Sequence, residues 1–144
     1  MVVSLMSDHN IFKLPVRVYF QDTDAGGVTY HASYVNFMER ARTEWLRTYG
    51  YSNAGMMKEL GVVFVVRSLK LEYLKPALLD DLLDVTAQIR EFGRSRLNLA
   101  QSVLRGDEVL AKGEVHLVCV SVKNLKPVSV PEVLSEQWKI TRKD

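Results

Sequence analysis

The chain has 144 residues, 47% of them apolar and 25% charged, with a formal net charge of +2. That length suits one domain with a core of its own, and the balance excludes a disordered chain. A charge so near zero makes no demand for nucleic acid or an anionic membrane, but leaves room for a local basic patch that meets a small anion.

Residues 1 to 12 read as a loose leader and 13 to 144 as a single domain. Asp8, His9 and Asn10 interrupt the opening apolar stretch and no basic residue precedes it, so it does not resemble a secretory signal. No run approaches the roughly 18 apolar residues of a membrane span, and the protein is expected in the cytoplasm. From Leu14 to Phe20 the pattern alternates, with Val16, Val18 and Phe20 on one face and Arg17 and Tyr19 on the other, which predicts a strand. The strand runs into Gln21-Asp22-Thr23-Asp24-Ala25-Gly26-Gly27, a polar loop with two glycines.

From Ser33 to Tyr49 the period changes. Tyr34, Phe37, Met38, Ala41, Trp45, Leu46 and Tyr49 recur at three- and four-residue steps, with Asn36, Glu39, Arg40, Arg42, Glu44 and Arg47 between them. This predicts an amphipathic helix with Ser33 as N-cap and Gly50 as its stop. A short helix or turn is expected over 52–60. Val62 to Val66 is apolar on both faces, and Leu69, Leu71 and Tyr73 then alternate with polar residues until Lys75-Pro76.

Leu83 to Arg90 has the cleanest period of two. Leu97 to Leu104 and Val109 to Val122 follow across the short connections Gly93-Arg94-Ser95 and Arg105-Gly106-Asp107-Glu108, which suit antiparallel hairpins. The one cysteine, Cys119, lies in this last apolar run with Val115 and Leu117, so it reads as core; a lone cysteine excludes an intramolecular disulfide and fits a reducing compartment. Lys126-Pro127 and Pro131 end the sheet, and a short helix is expected over 131–139.

One strand, one long helix and a run of long strands make an α+β fold, a curved antiparallel sheet wrapped around a central helix. A lone sheet and helix leave apolar surface uncovered, which oligomerisation remedies.

The stretch that carries chemistry is Tyr19 to His31. It sets two carboxylates at a strand end, two glycines after them and a helix start beyond. A carboxylate can act as base or nucleophile, and the unpaired amides of a helix N-terminus can hold an oxyanion. Glycine lets the backbone come close to a substrate. A calcium loop would also begin Asp-x-Asp, but its twelfth position here is Ser33 where a glutamate is required. A haloacid-dehalogenase phosphatase opens similarly, yet needs crossover helices rather than hairpins. The plain structural alternative is an Asx turn. It suits Asp22 better than Asp24, which stands beside the glycines. His31 is placed to contribute through its backbone N–H more than through its imidazole.

The run from Val18 to Tyr34, continued by Phe37-Met38-Glu39-Arg40-Ala41-Arg42, resembles the Tol-Pal-associated acyl-CoA thioesterases of the YbgC family, within the 4-hydroxybenzoyl-CoA thioesterase group of hotdog proteins. The likeness extends through Phe64-Val65-Val66-Arg67, Glu72-Tyr73, Pro76-Ala77, Asp80-Asp81, Val118-Cys119-Val120 and Lys126-Pro127.

The resemblance implies a hotdog fold, dimers with a continuous sheet and often tetramers, and no metal or other cofactor. It implies hydrolysis of a short, medium or aromatic acyl-CoA, or of an acyl-carrier-protein thioester. Asp24 would be nucleophile or general base and the amide of His31 or a neighbour the oxyanion donor. Gly26, Gly27 and Tyr30 would border the substrate. Arg94 and Arg96, and less firmly Arg67 and Lys70, would meet the CoA phosphates. A thiolate leaves readily, so a carboxylate suffices without a serine triad.

A related branch uses a helix glutamate, but the intact Asp24 loop makes Glu39 and Glu44 structural ion pairs. Two rival readings stand beside hydrolysis. One is a non-catalytic binder of acyl-CoA or acyl carrier protein, or a Tol-Pal scaffold. The other is a dehydratase using His31 with Glu39, which the motif does not match.

Overall fold

A computed structural model describes residues 11–141, so the expected leader falls almost wholly outside the described residues. Strand β1 (Phe12–Arg17) buries Val16 and exposes Lys13, Pro15 and Arg17. It starts two residues before Leu14 because Phe12 already pairs with Ala87. It stops at Arg17, short of the expected Phe20, because Phe20–Asp22 winds into a 3₁₀ turn.

Helix α1 (His31–Arg47) buries Tyr34, Phe37, Met38, Ala41, Trp45 and Leu46 along one stripe. It begins before Ser33, and Ser33 is not its cap: the Ser33 hydroxyl donates to the Asp22 carbonyl at 3.1 Å, tying the helix to the preceding loop. A capping residue type was thus used for tertiary contact instead. After Gly50, at φ +98°, a short helix α2 (Asn53–Gly55) runs on into a π-helical turn over Met56–Leu60. The Ser52 hydroxyl accepts the Gly55 N–H at 2.9 Å and caps it.

Strands β2 (Val62–Tyr73), β3 (Leu82–Phe92), β4 (Arg96–Arg105) and β5 (Glu108–Ser121) complete one five-stranded sheet of order β1-β3-β4-β5-β2, antiparallel throughout. The two predicted hairpins are present. β2 instead crosses to the far side of the sheet, pairs with β5, and has no neighbour on its outer edge among the described residues. Helix α3 (Glu132–Thr141) closes the fold.

α1 lies across the inner face, where the core falls into two clusters. Val16, Phe37, Met38, Leu83, Val85 and Leu110 surround its first half, and Trp45, Leu46, Ile89, Leu99, Leu117 and Trp138 its second. Fully burying one such side chain contributes about 1.5–3 kcal/mol, so the stripe on α1 is what pins the helix to the sheet. Gln101, 2% exposed, stands between the clusters. Its Nε2 donates to the carbonyls of Met38 at 3.0 Å and Thr86 at 3.1 Å, and its Oε1 accepts from Arg42 at 3.0 Å. A buried amide would be costly unpaired; here three partners satisfy it. Cys119 is buried, as expected, and burial pushes its thiol up to about 11.

Candidate active site

Asp22 and Asp24 differ in role by burial. Asp22 is buried; its Oδ2 accepts the Tyr19 N–H at 2.8 Å and its carbonyl accepts the Tyr30 N–H at 2.8 Å. It holds the loop, though by a bond back to Tyr19 and not by the Asx turn expected of it, which Asp24 makes instead. Asp24 is exposed and its Oδ1 accepts the Gly26 N–H at 2.9 Å, an Asx-type bond that fixes the carboxylate while Oδ2 has no hydrogen-bond partner among the described residues. The Asp24 amide donates to the Val28 carbonyl at 3.0 Å and its carbonyl accepts from Gly27 at 3.1 Å. The loop is therefore closed on itself. Only Gly27 needs glycine for its backbone, at φ +77°; a Cβ on Gly26 would sit 3.5 Å from Asp24 Oδ1, an ordinary contact.

The loop rests on the segment between β2 and β3. The Thr29 N–H donates to Ala77 at 2.9 Å, the Leu79 N–H to Gly27 at 3.1 Å, and the Ala77 N–H to the Tyr34 phenol oxygen at 2.9 Å. An ionic cluster holds that segment. Asp81 Oδ2 accepts the Leu78 N–H at 2.8 Å and pairs with Arg105 at 2.7 Å; Arg105 also meets Glu108 at 2.9 Å, and Lys75 meets Glu108 at 2.8 Å. Burial by itself raises the Asp81 carboxyl, but the Leu78 N–H and the Arg105 guanidinium outweigh it and hold it below the usual range.

His31 opens α1. Its amide and that of Ala32 have no carbonyl four residues back within the helix, so they stay available as donors, with the positive end of the helix dipole behind them. The exposed imidazole lies against Tyr30, ring centroids 4.3 Å apart, and edge-on to Tyr73 at 6.4 Å. The Tyr73 phenol donates to the His31 carbonyl at 2.9 Å. A poised carboxylate beside unpaired amides can activate or attack a carbonyl carbon while its oxygen is held.

The structure thus brings Asp24, Gly26, Gly27, Tyr30 and His31 to one end of the sheet, and does not bring the basic residues there. Arg94 and Arg96 lie at the far end of β3, an eleven-residue strand away, roughly 33 Å along it. No ion pair among the described residues engages them. Arg67 sits at the bulge in the middle of β2, with Lys70 three residues on. Glu44 does pair with Arg47, at 3.5 Å, but Glu39 accepts from the Thr43 hydroxyl at 3.3 Å and makes no ion pair among the described residues, which corrects that expectation. The pattern missed Tyr73 and the Asp81–Arg105 clasp. Their partners are 42 and 24 residues away, and no local spacing marks them.

A cavity of about 190 Å³ opens between the second half of α1 and the start of β2, lined by the polar Glu39, Arg42, Thr43 and Asn53 and by the apolar Trp45, Leu46, Phe64, Val66 and Leu117. A polar cleft of about 340 Å³ includes Glu91, Arg96 and Asn98. Among the described residues no three His, Cys, Asp or Glu side chains are grouped to hold a metal, and no helix is long and apolar enough to cross a membrane.

Residues 18–138 match the thioesterase-like superfamily. The acyl-CoA thioester hydrolase YbgC of Escherichia coli is 44% identical, over 90% of this chain and 96% of that one. The acyl-CoA thioesterase YbgC of Haemophilus influenzae is 43% identical, over 85% and 90%. A probable thioesterase from Bartonella henselae superposes with a TM-score of 0.80 at 32% identity, covering 84% of this chain and 99% of its own. With the hotdog architecture and the Asp24 loop already in place, these likenesses decide the matter: the chain belongs to the YbgC acyl-CoA thioesterases of the thioesterase-like superfamily.

Proposed function

We propose that Asp24 carries the hydrolysis of an acyl-CoA thioester, with the amides of His31 and Ala32 facing the carbonyl oxygen. The observation that supports this most is the Asp24 carboxylate itself, pinned by Gly26 through one oxygen and open at the other, at the mouth of a helix start. Acting as base, Asp24 takes a proton from water as the hydroxide adds to the thioester carbon. The C–S bond then breaks, the sulfur regains the proton, and acid and CoA thiol leave. Acting as nucleophile, it forms an anhydride that water opens to the same products. Gly26, Gly27 and Tyr30 border the reacting group, and the acyl groups accepted are short, medium or aromatic.

The working unit in this reading is a homodimer joined at the outer edge of β2. Val65, Val66 and Leu69 are exposed along the middle of this unpaired strand, the place a two-fold contact would cover. Pairing Val66 with Leu69 of a second copy sets Arg67 opposite Ser68, so that like charges do not meet, and sets Tyr73 opposite Val62. Because β2 runs antiparallel to α1, that register carries the partner's Asp24 loop to the start of β2. Arg94 and Arg96 then lie at the sheet end where the partner's loop arrives, which supports a role for them at the CoA phosphates, with Arg67 and Lys70 as lesser contributors. A tetramer of two such dimers, residence in the cytoplasm, and a link to the Tol-Pal envelope system follow as implications of the family.

Asp24→Asn is the test. The amide oxygen still accepts from Gly26, so the loop and the oligomer persist while the base or nucleophile is gone. Release of free thiol from butyryl-CoA and benzoyl-CoA should fall by about a thousand-fold or more. Full activity in a folded variant would refute the assignment.

A further inference from the structure

We infer that Tyr19, Phe20, Leu78, Leu79 and Leu82 form a docking surface that seats the protein on a zwitterionic lipid bilayer. The inference is independent of the thioesterase reading and concerns a surface beside the Asp24 loop. Phe20 is 81% exposed, Tyr19 59% and Leu82 54%, and Leu78 and Leu79 are exposed with them. Single apolar residues are common on protein surfaces, but a contiguous group marks contact with another protein or with a membrane.

The backbone makes this group contiguous. The Val18 N–H donates to the Asp81 carbonyl at 2.9 Å, the Asp80 N–H to the Val18 carbonyl at 3.0 Å, and the Leu79 N–H to the Gly27 carbonyl at 3.1 Å. The 3₁₀ turn that carries Phe20 therefore adjoins the turn from Leu78 to Asp81. Both turns are fastened. The Asp22 carboxylate accepts the Tyr19 N–H at 2.8 Å, the Thr23 hydroxyl donates to the Phe20 carbonyl at 2.8 Å, and the Asp81 carboxylate accepts the Leu78 N–H at 2.8 Å. Apolar side chains held out in water on fixed backbone lose little further freedom when they dock.

A second copy at the β2 edge does not cover them. The sheet order places β1 at the opposite edge, four strand spacings or roughly 19 Å away. Exposed Lys13, Pro15 and Arg17 along β1 oppose the addition of another strand there. The nearby charges then select the surface that fits. Arg17 donates to the Asp80 carbonyl at 2.7 Å and makes no ion pair among the described residues, nor do the carboxylates of Asp80 and Asp84. Asp84 shares the outer face of β3 with Leu82, two residues before it. Beyond them, Asp81 and Glu108 are balanced by Arg105 and Lys75. A headgroup with one phosphate and one ammonium finds a partner for each, in Arg17 and in the two aspartates. An anionic surface, lipid or protein, would instead meet unpaired carboxylates. Tyrosine, phenylalanine and leucine settle readily at the headgroup level. No helix among the described residues is long and apolar enough to cross a membrane, so the contact is peripheral.

The test is flotation of the full chain with phosphatidylcholine vesicles, with and without added phosphatidylglycerol, at low and high salt. The wild type should float with phosphatidylcholine alone, and anionic lipid or salt should change its partition by less than about two-fold. Phe20→Ser and Leu82→Ser should each lower the partition about ten-fold. Leu125→Asn, which removes an exposed leucine at the other end of the sheet, should leave it unchanged. Phe20→Trp supplies a second readout: its emission should shift to shorter wavelength on vesicles, since Trp45 and Trp138 are buried and stay silent. No flotation with phosphatidylcholine overturns the inference, as does flotation that needs anionic lipid and is lost in salt. A partition untouched by both serine variants, or lowered as much by Leu125→Asn, also overturns it. So does vesicle-free self-association that disappears in Phe20→Ser while vesicles bind nothing, which would assign the surface to a further copy of the chain.

Discussion

The phenol of Tyr73 donates to the carbonyl of His31 across 2.9 Å, fastening the end of β2 to the first turn of α1. Burial, and then the neighbouring Tyr34, raise the Tyr73 phenol above its ordinary value, so it remains a donor throughout the neutral range. The strand with the open edge and the helix whose first amides are unpaired are therefore coupled by one bond.

Removing that bond should show in both stability and catalysis. Tyr73→Phe keeps the ring contacts with His31 and Tyr34 and loses only the donor. A loss of about 0.5–1.5 kcal/mol in denaturant unfolding is expected. If Tyr73 steadies the first turn of α1, kcat for butyryl-CoA should fall several-fold with KM nearly constant; a wild-type kcat would show that the turn holds without it.

The two glycines of the Asp24 loop should separate cleanly. Gly26→Ala adds a methyl at van der Waals distance from Asp24 and leaves the Gly26 amide in place, so activity should change by no more than a few-fold. Gly27→Ala forces an L-residue to φ +77°, at a cost of about 1–2 kcal/mol, and shifts the carboxylate. The prediction is a melting temperature and a kcat that both drop for Gly27→Ala and barely move for Gly26→Ala.

The Asp81–Arg105 clasp gives the protein a defined acid sensitivity. The folded carboxyl of Asp81 is held below its unfolded value. Its contribution is therefore complete above the unfolded value of about 3.9 and is lost as pH falls through the folded one. Asp81→Asn should lower the melting temperature by a few degrees at pH 7, and the gap to wild type should shrink progressively as pH falls below the unfolded value of about 3.9. A gap that stays constant across the acid range in which the wild type still folds would show that the charge on Asp81 carries no stability.

Cys119 should be silent in the native state. With the thiol pushed up to about 11 by burial, only about one molecule in a thousand is thiolate at pH 8, and the thiolate is the reactive form. A thiol reagent should find no native thiol within minutes and one equivalent after guanidinium unfolding. Rapid native reaction would mean that the β5 layer opens far more often than its packing implies.

What the chain reveals by itself is what neighbouring residues decide. The period-two runs from Leu83 and Leu97 and the 3.6-residue stripe from Tyr34 to Leu46 became β3, β4 and α1, because backbone geometry sets those periods locally. The Asp24 loop was legible for the same reason: carboxylate, glycines and helix start lie within eight residues. Local rules also misled, since Ser33 looked like a cap and serves instead as a tie to Asp22, and Glu39 looked like half of an ion pair. Tertiary structure alone decided that β2 would pair with β5 and end the sheet, that Tyr73 would reach His31, that Arg105 would hold the segment under the loop, and that Trp138 would back Trp45. Such contacts join segments tens of residues apart, and which distant surfaces meet is settled by how the whole core packs, a property that no short window of residues contains.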